Sequence, residues 1–329
     1  MEWGEPLYDF CGVKLHSPFG VGAGLLWNSR WVEVYARLGF SLLTTKTVRT
    51  KRCEGHPFPH VLAVNNHAAS EIPSTAVAYP DAELLAQTGA LVNSFGNPYV
   101  EPEIWVQDFA RAKNSLAHGQ MLVVSITGTV EVGAGLDEFA EDCARCAELA
   151  LDVGADALEV NLSCPNVANP AENIYQNPRA SAQVLASVRR GAPRALLFVK
   201  VGRFAAREAA RVFVAAVANQ IDAITAINSE PVRVLDARGA PAFPGRTTAG
   251  LAGRPLKQLA RAQVEMLAQI RREENYHFKI IGLGGVTRPE DFVEMREAGA
   301  DVVEAVTGAM VNPYLAHEID ERVMADARI

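Results

Sequence analysis

Eight short apolar runs punctuate the chain, at residues 19–23, 42–47, 122–126, 157–162, 196–201, 223–227, 279–283 and 302–306. They lack polar alternation, the mark of strands buried on both faces. Between most of them the apolar residues recur at helical spacing, as in 30–38, 136–153, 180–190, 205–218, 255–272 and 289–298. Strands alternating with helices give a parallel sheet with right-handed crossovers. Eight such units predict a closed (β/α)8 TIM barrel. An open doubly wound sheet is the alternative. No internal repeat and no linker divides the 329 residues, so one domain over 1–329 is expected.

Two stretches break the rhythm. Residues 48–109 and 229–254 are too long for ordinary connections and carry many prolines. Both follow a strand, so both are expected as long excursions over the C-terminal mouth, where barrel enzymes keep their chemistry.

Composition narrows the function classes. The net charge is −7, and no block of Lys and Arg exceeds two or three residues, which argues against a nucleic-acid partner. No apolar run approaches the ~18 residues of a membrane span. The start of the chain lacks the basic and apolar regions of a signal peptide. Five cysteines, an odd number, do not form a disulfide framework, so a reducing cytoplasm is expected. The seven histidines show no H-x-x-x-H or H-E-x-x-H spacing, so no metal site is expected.

Several residues stand where a barrel would use them. In Asn161-Leu162-Ser163-Cys164-Pro165-Asn166, the residues Glu159, Asn161 and Ser163 share one strand parity and face the interior. Cys164 then sits at the mouth, where it reads equally as a site residue or as a small buried hydrophobe. Cys143 and Cys146 lie inside a helical stretch and read as packing. Lys46 and Lys200 end strands, and a buried ammonium needs a mouth or a partner. Glu159 is the expected partner of Lys200, whereas Lys46 has no acidic neighbour in sequence. Gly284-Gly285, after the seventh strand, and Thr307-Gly308, after the eighth, suit an anion cradle. Gly250 and Gly253 extend it. Asn93, Asn161, Asn166 and Asn228 fall at strand ends, where amides suit a planar ligand rich in imide and carbonyl groups.

The chain resembles the dihydroorotate dehydrogenases, in particular the cytosolic class 1 group. The likeness runs from about residue 7 to 320. It rests on Thr45-Lys46, Glu54-Gly55-His56-Pro57-Phe58-Pro59, Asn93-Ser94-Phe95-Gly96, Ser125-Ile126-Thr127-Gly128 and the Asn161–Asn166 motif. Val199-Lys200, Ile227-Asn228-Ser229, Gly250-Leu251-Ala252-Gly253 and Ile280-Ile281-Gly282-Leu283-Gly284-Gly285 follow in the same order. The resemblance implies FMN in the mouth, its phosphate at Gly284, Gly285 and Thr307 with Gly253 nearby. It sets Lys200 against the ring, Ala23 and Gly24 on the ring through backbone, and Lys46 between ring and substrate. Asn93, Gly96, Asn161, Asn166, Asn228 and Ser229 would then hold the pyrimidine and its carboxylate. Cys164 would be the base that takes a proton from C5 of dihydroorotate, while C6 gives a hydride to the flavin.

The resemblance also implies a homodimer, or pairing with an iron–sulfur flavoprotein that draws on NAD. The electron acceptor stays open between fumarate, NAD through a partner, and others. The chain departs from the family pattern in the loop after Gly96, at Cys53 and His60, and with Glu230, Glu304 and Val306. Glu230 sets a carboxylate beside Asn228-Ser229, where it would oppose an anionic substrate. Other readings are an FMN enzyme acting on another dihydropyrimidine or cyclic amide, a Schiff-base lyase using Lys200, and a barrel without turnover.

Overall fold

The computed structural model describes residues 5, 6, 8–65, 72–129, 133–163 and 173–326. Eight parallel strands close on one another in chain order: β1 (Phe19–Leu26), β2 (Leu42–Thr45), β3 (Met121–Ile126), β4 (Ala157–Asn161), β5 (Leu196–Val201), β6 (Ala223–Ala226), β7 (Lys279–Leu283) and β8 (Val302–Ala305). β8 pairs with β1 through Val303 and Phe19, so the sheet has no edge and the open-sheet alternative falls. Each expected strand is present within a few residues.

The outer helices are α1 (Ser29–Arg37), α2 (Pro102–Ser115), α3 (Leu136–Asp152), α4 (Pro178–Gly191), α5 (Arg207–Val217), α6 (Lys257–Glu273) and α7 (Pro289–Glu297), followed by α8 (Thr307–Val311) and α9 (Leu315–Asp326). Each long helix buries one apolar stripe on the barrel. The α3 stripe contains Phe139, Ala140, Cys143, Cys146, Ala147 and Ala150. Both cysteines are therefore packing residues, and burial pushes their thiols well up. Local signals start the helices. Asn28 and Asn177 accept from the first-turn N–H groups of Trp31 and Ala180, and proline opens α2, α4 and α7.

Alternation along a strand sends every second side chain into the barrel. At the N-terminal end that inward ring is apolar: Leu42, Val123, Ala157, Phe198, Ala223, Ile281 and Val302. A hairpin, Tyr8–Phe10 and Val13–Leu15, closes it from below with Phe10 and Leu15. Its turn needs a left-handed backbone at both Cys11 and Gly12, with φ of 52° and 83°. Two residues further along the same strands the inward side chains turn polar: Thr44, Ser125, Glu159, Lys200, Thr225 and Glu304, all buried. The interior is thus dry and apolar at the bottom and charged towards the mouth.

Three aspartates brace the bottom. Asp156, Asp222 and Asp301 each precede an even-numbered strand. Each accepts the backbone N–H of the second residue of the neighbouring odd strand, Leu122, Leu197 and Ile280 respectively, at 2.8 Å in each case. Each also pairs with a cation, Lys113, Arg189 or Arg271.

The two excursions are not separate loops. The strands Val61–Val64, Thr75–Tyr79 and Ala90–Asn93 of the first join Glu230–Leu235 and Thr248–Gly253 of the second in a closed five-stranded sheet. This sheet has its own core, which includes Leu62, Val64, Val92, Val234, Phe243 and Leu251. The first excursion is also shorter than expected, because α2 begins at Pro102, a residue that reads as loop but occupies a first-turn position. No described helix is long and apolar enough to cross a membrane.

Phe198 is fully buried and meets Phe10 edge-on, ring centres 5.6 Å apart. Phe198→Ala is expected to cost about 3–5 kcal/mol in urea unfolding. A loss under about 1 kcal/mol would show that the hairpin does not seal the barrel.

Candidate active site

The C-terminal ends of the strands converge on a ring of polar groups. Lys200, near the end of β5, crosses the barrel and donates to the backbone oxygen of Ala23 on β1, 3.4 Å away. It makes no ion pair with Glu159, contrary to expectation. The buried carboxylates Glu159 and Glu304 instead accept from hydroxyls, Ser125 at 3.1 Å and Thr44 at 2.6 Å. Burial and the charge of Glu159 push the Glu304 carboxyl up to about 8, against smaller opposing effects of Thr44 and Lys200.

Above this layer runs a chain of hydrogen bonds. Asn228 Nδ2 donates to Ser163 Oγ at 2.7 Å, and Ser163 Oγ to Asn161 Oδ1 at 3.1 Å. Asn161 Nδ2 donates to Thr47 Oγ1 at 3.3 Å, and Thr47 lies 3.1 Å from Ser125 Oγ. Because Ser125 gives its proton to Glu159, Thr47 must donate to Ser125. Every donor therefore faces the same way, and the chain ends on a carboxylate, which polarises each bond in turn.

Lys46, just past β2, is buried with its ammonium 5.3 Å from the Trp27 ring centre and 5.1 Å from that of Phe95. It donates to Asn97 Oδ1 at 3.4 Å. Aromatic faces and an amide thus stabilise this cation. Arg49 fixes the loop that carries Asn97, donating to the Asn97 backbone oxygen at 3.2 Å and to Gly128 and Thr129. Sequence reading missed Arg49, Trp27 and Phe95 as parts of the site. The signal available was that Arg49 lies three residues past Lys46, and Phe95 between Asn93 and Gly96.

The glycine segments also come together. A Cβ on Gly253 would lie 2.1 Å from the Gly89 oxygen and 2.9 Å from Thr307 Cγ2. One on Gly285 would meet the Lys257 backbone at 2.4 Å. Gly253, Gly284 and Gly285 all have φ between 76° and 132°, conformations that side chains resist. Gly253 thus packs against Thr307, itself buried, while Gly284 and Gly285 pack against Ala260 and Lys257. Gly250 stands elsewhere: it neighbours Ser229 and Asn93, and Asn93 Nδ2 donates to its oxygen at 3.0 Å. Gly96, φ 71°, abuts His56. Gly24 faces Val306, whose side chain would lie 3.1 Å from an added Cβ. Cys164 and Asn166 lie outside the described residues.

The sequence model of the family described as Dihydroorotate dehydrogenase matches residues 7–326. A dihydroorotate dehydrogenase of Dictyostelium discoideum is 35% identical over 319 residues, covering 94% of this chain and 85% of its own. This chain belongs to the dihydroorotate dehydrogenase family. A further relative, the catalytic subunit of a dihydroorotate dehydrogenase B (NAD(+)) of Methanocaldococcus jannaschii, is 24% identical and covers 93% of this chain and 88% of its own. In fold, the chain is similar to a ligand-free DHODH from Eimeria tenella, with a TM-score of 0.77 and 19% identity, over 98% of this chain and 88% of that one. Dihydroorotate dehydrogenases are flavin-dependent oxidoreductases that act on CH–CH bonds with FMN.

The departures from the family pattern now have surroundings. Glu230 is half-buried and pairs with Arg203, Oε2 to Nε 3.5 Å, so it does not present a bare negative charge beside Asn228. Burial raises its carboxyl above the usual range. Val306 covers Gly22 and Gly24.

The donor chain is testable without any ligand. Ser125→Ala and Thr47→Val are each expected to lower stability by about 1–3 kcal/mol, because each strands a buried polar group. The double variant should cost less than the sum, since one break already interrupts the series. Strict additivity in urea unfolding would show that the bonds are independent.

Proposed function

We propose that this chain oxidises dihydroorotate to orotate at the mouth of its barrel, with FMN as cofactor and Cys164 as base. The observation that carries the reading is the reach of Lys200 across the barrel to the Ala23 backbone, in a chain that matches the family over residues 7–326. The residues present fit the cofactor. Gly253, which packs against Thr307, and the turn at Gly284 and Gly285 would hold a phosphate through backbone N–H groups. Lys200 suits a ring that gains negative charge, because the ammonium lies against the backbone that would contact the ring at Ala23 and Gly24. FMN, when bound, supplies the acceptor for the hydride from C6.

The chain's own residues do the rest. Asn161 and Asn228, locked by the donor chain, present fixed amides to the pyrimidine. Asn93 and Ser229 join them through Gly250. Lys46, held by Trp27, Phe95 and Asn97, would bind the substrate carboxylate and favour a thiolate at Cys164. Cys164, adjoining Ser163, would take the proton from C5 as the hydride leaves. A cysteine base suits the class 1 group, with a homodimer or an iron–sulfur flavoprotein partner as its assembly. Family membership favours this reading over a Schiff-base lyase using Lys200.

Purified protein loaded with FMN is expected to be yellow, and orotate should shift its visible spectrum saturably. Failure to bind FMN, or a spectrum indifferent to orotate, would overturn the assignment. Cys164→Ser should keep FMN but slow its reduction by dihydroorotate at neutral pH roughly 10²-fold or more. An unchanged rate would remove Cys164 as the base.

A further inference from the structure

Glu159, Lys200 and Glu304 are sealed in the barrel interior, 1%, 2% and 0% exposed. Each carboxylate has one oxygen held by a hydroxyl, from Ser125 or Thr44. The second oxygen of each, Oε2, is buried with no hydrogen-bond partner. No salt bridge joins either carboxylate to Lys200 among the described residues. Two ionised carboxylates and one ammonium would leave an uncompensated negative charge in a dry interior, which is costly. One added proton makes the three groups neutral together.

We propose that Glu159 and Glu304 hold one proton between them, and that this proton sets the net charge facing Lys200. The hydrogen bonds indicate where it rests. Glu159 sits at the end of the hydrogen-bonded series through Ser125, Thr47 and Asn161. Glu304 receives only Thr44, and its Oε2 lies beneath Gly22, 3.1 Å from where a Cβ would stand. Glu304 is the protonated partner. Burial and the neighbouring Glu159 charge act on it in the same direction, and Lys200 opposes them.

The charged groups acting on Glu304 are Glu159 from β4 and Lys200 from β5. Among the described residues, the other strands contribute no charge here, only the hydroxyls of Thr44, Ser125 and Thr225, the apolar Leu283 and the glycines of β1. Glu304 is therefore a positioning residue, acting through Lys200. Once the proton leaves, an extra negative charge cancels the pull of Lys200 on electrons in the ring it would face. Conversely, negative charge arriving on that ring strengthens the pair's hold on its proton, so electron and proton uptake are linked.

The last step rests on the FMN reading above, but the proton does not, and the tests separate them. In flavin-free protein the pair keeps, up to a pH of about 8, a proton that the unfolded chain releases near 4.5. Its stabilising contribution is therefore full below about 4.5 and is lost as pH rises towards 8. Glu304→Gln should remove that loss from urea unfolding measured across this window; parallel profiles for the two proteins would overturn the shared proton. Should Glu304→Gln not fold, infrared spectra decide. Wild type should carry a protonated carboxylic-acid band at neutral pH that Glu159→Gln lacks, and an identical band in both would overturn the proposal. In FMN-loaded protein, the midpoint potential of wild type should fall more steeply with pH than that of Glu304→Gln around pH 8. Superimposable curves would overturn the coupling to Lys200. Failure to take up FMN would count against the cofactor reading alone.

Discussion

From Asn228 at the rim to Glu159 inside the barrel, five side chains each donate to the next, and Glu159 accepts the last bond. The direction of the series follows from its end, because a carboxylate only accepts. Four strands or strand ends contribute, so the series can exist only if the barrel is closed and in register. A one-residue slip would turn these side chains out of the interior. The apolar ring below keeps water from competing for the same groups. The chemistry at the mouth therefore depends on packing at the opposite end, where Phe10, Leu15 and Phe198 seal the interior.

Two further supports act from outside the main barrel. The five-stranded sheet built from both excursions brings Asn93, Gly250 and Ser229 together, and sets Gly253 against Thr307. Arg49 ties the Asn97 loop to the residues that follow β3, which steadies the amide facing Lys46. The site is thus shared between the strand ends and a lid with a core of its own.

The eight strands were legible because each is apolar on both faces and is followed by helical spacing. Lys200 and the glycines were legible because charge or bare backbone at the end of an apolar strand needs a reason. The second sheet was not legible. Its strands are short, bounded by prolines, and pair across more than a hundred residues, as Asn93 does with Gly250. The Lys200–Glu159 pairing looked right from adjacent strands, yet β4 and β5 carry the two side chains at different heights: Glu159 lies opposite Phe198, and Lys200 opposite Asn161. Glu304 is legible as an inward-facing residue of β8, but its coupling to Glu159 across the barrel is a property of closure. Cys164 and Asn166 were named from the motif alone.

The central claim is that this mouth removes two hydrogens from dihydroorotate. Anaerobic mixing of dihydroorotate with the FMN-loaded protein tests it most directly. The account predicts that the visible flavin band bleaches as one orotate forms per flavin, before any electron acceptor is added. A flavin that stays oxidised in the presence of saturating dihydroorotate would contradict it.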